Sequence, residues 1–159
     1  MNTRVSQIDA GSEQVVSSNA FSMPQIALTP QAAAQAVGGK RVLIAEDEVD
    51  LAWVERFNLE AEGYEVEWAE EGRQTLAVLE SFDPHLLILD VMLPYVDGWS
   101  VLARLREWPD ERRPKVIVVS AATGLADQER ALTLGARSFL PKPFDMDDLL
   151  ELVATTLAT

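Results

Sequence analysis

The side chains best suited to chemistry each stand at the carboxyl end of a short apolar run. Glu46, Asp47 and Glu48 follow VLIA, Asp90 follows LLIL, Ser120 follows VIVV, and Lys142 follows RSFL after a single proline. Carboxylates from Glu46, Asp47 and Asp90 brought together would repel one another and raise their pKa values unless a cation intervened. Mg²⁺ suits such a site, because it accepts one or two protein carboxylates and leaves room for waters and a phosphate oxygen. A carboxylate held there can attack an incoming phosphoryl group and form an aspartyl phosphate. Lys142 and the Ser120 hydroxyl would then hold the equatorial oxygens, the positioning and charge stabilisation that phosphoryl transfer needs.

Each residue also has a plainer reading. Glu46, Asp47 or Glu48 after a strand can serve as a helix N-cap or a solvated loop charge. Asp50 reads as an acidic residue of a first helical turn, and Ser120 alone could cap the next helix. Asp90 resists that treatment, since it directly follows four apolar residues, where an unpaired charge is expensive. Lys142 sits between Pro141 and Pro143, which stiffen its loop.

The elements that must position these groups follow from the pattern around them. From Lys40 onward, short apolar runs alternate five times with longer amphipathic segments, which predicts a repeated βα architecture. Strands are expected at 41–45, 64–69, 85–89, 115–119 and 137–140, and helices at 49–61, 71–81, 98–107, 125–134 and 146–157. Gly63 and Gly135 fall just past helix ends, as C-cap glycines do. The first, third and fourth strands are continuously apolar, as strands covered on both faces must be. The second and fifth mix polar with apolar residues and belong at the edges. Right-handed crossovers then give the order 2-1-3-4-5, a flavodoxin-like doubly wound α/β fold whose ligands bind beyond the carboxyl ends of the strands.

Residues 1–39 are rich in Ser, Gln and Ala without sustained periodicity and read as a flexible extension to a domain over 40–159. One short helix is expected near 30–37, with Thr29 as cap, Pro30 at its first position and Gly38 and Gly39 after it. A lone helix of that length is marginal in water and persists only when docked.

The chain has 159 residues, 48% of them hydrophobic and 25% charged, as an ordinary globular protein has. No apolar run approaches a membrane span and no secretory signal opens the chain, so a cytoplasmic location is expected. With no cysteine and His85 as the single histidine, thiolate chemistry and multi-histidine metal sites are excluded. The net charge of −13 repels phosphate backbones, so proteins and cations rather than nucleic acid are the expected partners.

Residues 41–157 resemble the receiver domain of two-component response regulators. The acidic pair in VLIAEDE, the acceptor loop LLILDVMLPYVDG, the SAA at 120–122 and ALTLGARSFLPKPF carry the resemblance. It implies that Asp90 is the phosphoacceptor, and that Glu46 and Asp47 hold Mg²⁺ together with Asp90 and the Met92 carbonyl. It further implies that Ser120 and Lys142 grip the phosphoryl group, that Ser120 and Phe139 form a switch, and that Lys142–Pro143 is a cis peptide. Glu46 stands where Asp is commoner and Ser120 where Thr is common, and the longer Glu46 can reach a metal through water. The partners implied are a sensor histidine kinase or histidine phosphotransfer protein and a downstream protein target. With Thr159 directly after the last expected helix, output is expected by protein contact or phosphorelay.

Two other readings compete. A pseudo-receiver would keep the fold as an interaction module without phosphorylation, but the set Glu46, Asp47, Asp90, Ser120 and Lys142 is intact. A haloacid-dehalogenase-type phosphatase would place a second carboxylate at position 92, where Met92 cannot transfer a proton. No Gly-rich phosphate loop follows the first strand. The chain is therefore read as a switch whose only catalysis is transfer to, and slow hydrolysis from, its own Asp90. Trp53, Trp68, Trp99 and Trp108 are expected to cover core and helix surfaces, and Pro94 and Gly98 to be turn punctuation.

Overall fold

A computed structural model describes residues 39–159. The extension and the short helix expected near 30–37 lie outside the described residues, apart from Gly39. Among the described residues, five strands and five α-helices alternate: β1 (Arg41–Ala45), α1 (Val49–Ala61), β2 (Glu65–Ala69), α2 (Gly72–Phe82), β3 (Leu86–Leu89), α3 (Gly98–Leu105), β4 (Lys115–Ser120), α4 (Leu125–Thr133), β5 (Ser138–Pro141) and α5 (Met146–Ala158). All strands pair in parallel in the order β2-β1-β3-β4-β5, the doubly wound arrangement expected.

The central strands are buried on both faces because helices cover both. Leu43, Leu87, Leu89, Val116 and Val118 face one apolar layer with Leu79, Val101 and Ala131 from α2, α3 and α4. Val42, Ile44, Leu86, Ile88, Ile117 and Val119 face the other, with Ala52 and Leu59 of α1 and Leu149 and Val153 of α5. Side chains alternate between the layers along each strand, as the pleat requires.

Element ends differ from expectation by one or two residues. Helix α3 stops at Leu105 rather than 107, and the Arg113 guanidinium binds the carbonyls of Leu105, Arg106 and Trp108 that this ending leaves free. Gly63 and Gly135 take positive φ, and Asp83 does the same after α2, a left-handed cap that the sequence reading passed over. Trp68, Trp99 and Trp108 pack against the core, but Trp53 does not: it is 62% exposed and stacks on Phe57 with ring centres 5.6 Å apart. Among the described residues, no helix is long and apolar enough to cross a membrane.

Candidate functional site at the carboxyl edge of the sheet

β1 and β3 are neighbours, and α1 and α3 leave them on opposite sides of the sheet, so the residues after these two strands meet in one crevice. The Glu46 N–H continues the sheet by donating to the Ala69 carbonyl at 3.0 Å, and the Asp90 N–H donates to Ala45 at 2.9 Å. Backbone ladders thus hold both carboxyl-bearing residues in place. Trp68 adds a third restraint, its indole N–H donating to the Glu46 carbonyl at 2.8 Å.

Lys142 reaches into the crevice from the end of β5. Its Nζ lies 2.7 Å from Glu46 Oε2, 2.9 Å from Asp90 Oδ2 and 3.3 Å from Glu48 Oε1. Glu46 and Asp90 are 2% and 4% exposed, so this ammonium is the charge that makes their burial tolerable. Burial alone would lower the Lys142 pKa, but hydrogen bonds to Asp90 and Glu46, reinforced by their charge, raise it. Burial pushes the Glu46 carboxyl up, against the hydrogen bonds it accepts from Lys142 and the Glu48 N–H, with the Asp90 charge adding to the rise. The Lys142–Pro143 bond is cis, as the resemblance implied.

The remaining expected residues surround this triad. Asp47 is exposed, and Glu46, Asp47 and Asp90 each offer an oxygen, all within 4.8 Å of one another. The Met92 N–H donates to Asp90 Oδ1 at 2.8 Å, while its side chain is 61% exposed. Ser120 is the last residue of β4 rather than the first of the loop, and it is buried. Its Oγ accepts from the Ala122 N–H at 3.1 Å, which leaves its own hydrogen free to donate, and α4 starts without a side-chain cap. The Lys142 N–H donates to the Ser120 carbonyl, tying the two ends together. Phe139, half-buried on β5, packs on the layer that holds Val118 and Ala131.

Residues 42–154 match the family described as the response regulator receiver domain. The chain belongs to that family. The transcriptional regulatory protein PcoR of Escherichia coli is 37% identical over 118 residues, which cover 74% of this chain and 51% of PcoR. The phosphate regulon transcriptional regulatory protein PhoB of Rhizobium meliloti is 37% identical over 117 residues, with 74% and 52% covered. The chain thus spans about half the length of the curated relatives it matches. A CheY-like response regulator receiver domain from Methanospirillum hungatei superposes with a TM-score of 0.70 at 31% identity, covering 75% of this chain and 94% of that one. A response regulator receiver domain from Bermanella marisrubri gives 0.67 at 33% identity, with 75% and 98% covered. This receiver domain is a signalling domain of two-component response regulators, not a conventional enzyme. Receiver domains bind Mg²⁺ at an acidic pocket, and the donors here fit it: three carboxylates of the hard-oxygen type, gathered within 4.8 Å.

Two residues of consequence escaped the sequence reading. Gly98 is more than turn punctuation: a Cβ there would stand 2.6 Å from the Asp90 carbonyl, so only glycine lets α3 begin against the acceptor loop. Glu55 is fully buried on α1, and both of its carboxyl oxygens lack a hydrogen-bond partner among the described residues. The signal was present, because 52, 55 and 59 fall on one helical face and its other members, Ala52 and Leu59, are core.

Proposed function

We infer that this receiver domain is a phosphorylation-dependent switch that accepts a phosphoryl group on Asp90 from a phosphohistidine of a sensor kinase or phosphotransfer protein. The observation that carries this reading is the Asp90 carboxylate, buried at a strand end, held by Lys142 at 2.9 Å and grouped with Glu46 and Asp47. Glu46, Asp47, Asp90 and the Met92 carbonyl would hold Mg²⁺, and Glu46 contributes directly or through water. When bound, the ion neutralises the oxygens that crowd together as the phosphoryl group arrives.

An Asp90 carboxylate oxygen attacks phosphorus, the phosphorus–nitrogen bond of the donor breaks, and the imidazole leaves as the neutral base after taking a proton from solvent. Lys142, already on Asp90, turns to an oxygen of the transferred group, and the Ser120 hydroxyl donates to another. Ser120 moving toward the phosphoryl group vacates space that the half-buried Phe139 ring can enter, giving two packings of one region. Output is then read on the face of α4, β5 and α5, by protein contact or relay, in the cytoplasm. Protein rather than nucleic-acid partners suit the net charge of −13. Residues 1–39 are an extension dispensable for phosphorylation.

Intact-mass analysis after incubation with an acyl phosphate tests the assignment. One phosphoryl group should add in Mg²⁺, none in chelator and none on Asp90→Asn. Equal labelling of Asp90→Asn would overturn it. With beryllofluoride, amide shifts should concentrate in residues 120–145; shifts confined to α2 would refute the proposed output face.

A further inference from the structure

Helix α1 is apolar on two sides, and the core covers only one of them. Ala52 and Leu59 face inward, while Val49, Trp53 and Phe57, spaced four residues apart along a single ridge, are 54%, 62% and 59% exposed, with Val54 beside them at 43%. A surface helix normally turns a polar face to solvent, so this exposed apolar ridge is the exception. The stacked rings of Trp53 and Phe57 open onto a cavity of about 250 Å³ whose third aromatic wall is Trp68 of the edge strand β2. Its rim carries Arg56 and Glu60, which satisfy each other at 2.8 Å. An occupant therefore needs apolar side chains and no charge.

We propose that residues 20–37 of this same chain dock on the Trp53–Phe57–Trp68 surface. Residues 14–39 contain no charged side chain, yet they carry Phe21, Met23, Ile26, Leu28 and Val37. Such a segment approaches an acidic body without repulsion and matches a cavity whose rim charges are already paired. The point of attachment fits as well. The Lys40 carbonyl accepts from the Glu65 N–H at 3.0 Å, so the segment joins the body beside the start of β2. Trp68 is three residues further along that strand, about 10 Å away at the usual strand rise. Gly39, at φ +64 and with open space where a Cβ would stand, supplies a turn. Docking also supplies what the short helix expected near 30–37 needs, a surface to persist on.

The chain has no cysteine, so Ser22→Cys in the full chain takes a single spin label. The tryptophans serve as built-in reporters, since Trp68 packs on the α1–α5 side of the sheet and Trp99 and Trp108 on the other. The Trp53 and Trp68 indole signals and the Phe57 amide should lose most of their intensity, and those of Trp99 and Trp108 should not. Adding Ile26→Asp and Leu28→Asp to the labelled chain should restore them. Absent or uniform broadening overturns the proposal. Equal broadening in a mixture of spin-labelled and separately isotope-labelled chains overturns it too, because the occupant is then a second copy.

Discussion

Replacing Glu55 by glutamine should make the fold more stable, and increasingly so as pH rises. Burial pushes the Glu55 carboxyl up to about 8 from the ordinary value of 4.5, the Glu46, Asp90 and Glu48 charges adding to the rise and Lys142 opposing it. The folded state therefore keeps a proton that the unfolded chain gives up. Its stability is fully present below 4.5, falls between 4.5 and about 8, and levels off above. At about 1.36 kcal/mol for each pH unit separating the two values, the loss is about 3 kcal/mol at pH 7 and about 5 kcal/mol above pH 8. Glutamine has nearly the same shape and cannot ionise, so it removes the titration while leaving the unpartnered polar atoms in place. Urea unfolding of the parent and of Glu55→Gln at pH 5, 7 and 8.5, in chelator, measures the difference. The curves should nearly coincide at pH 5 and separate by several kcal/mol at pH 8.5. Parallel pH profiles for the two proteins would show that Glu55 is ionised in the fold or finds a partner there, and would refute the reasoning.

Lys142→Met leaves Glu46 and Asp90 buried without their ammonium and should cost about 3–5 kcal/mol at neutral pH in chelator; added Mg²⁺ should raise its urea midpoint more than the parent's. Gly98→Ala forces a methyl against the Asp90 carbonyl and should lower stability by about 1–3 kcal/mol, read from the same denaturation curves. Met92 and Ala122, two residues past Asp90 and Ser120, offer no side-chain hydrogen bond to an attacking water, so phosphate release from the phosphorylated parent should be slow. Met92→Asn with Ala122→Glu should speed it on the order of tenfold, and an unchanged release rate would remove the positioning argument.

The runs VLIA, LLIL and VIVV identify buried strands by themselves, because only a strand covered on both faces can be apolar at every position. Right-handed crossovers then leave few sheet orders, so the fold and the gathering of Glu46, Asp47, Asp90, Ser120 and Lys142 at one edge were legible in the sequence. Side-chain partnerships were not. Lys142 lies 96 residues from Glu46 and 52 from Asp90, and only the closed sheet makes its ammonium the counter-charge to both. The need for glycine at 98 arises from the Val91 Cα and the Asp90 carbonyl, which the loop after β3 folds back against the start of α3. Trp53 and Glu55 show the same limit from opposite sides. Composition places a tryptophan inward and a glutamate outward, but the rotation of α1 on the sheet is set by where Ala52 and Leu59 fit. That rotation exposes the aromatic ring and buries the carboxyl, a result of tertiary packing overriding the preference of a single residue.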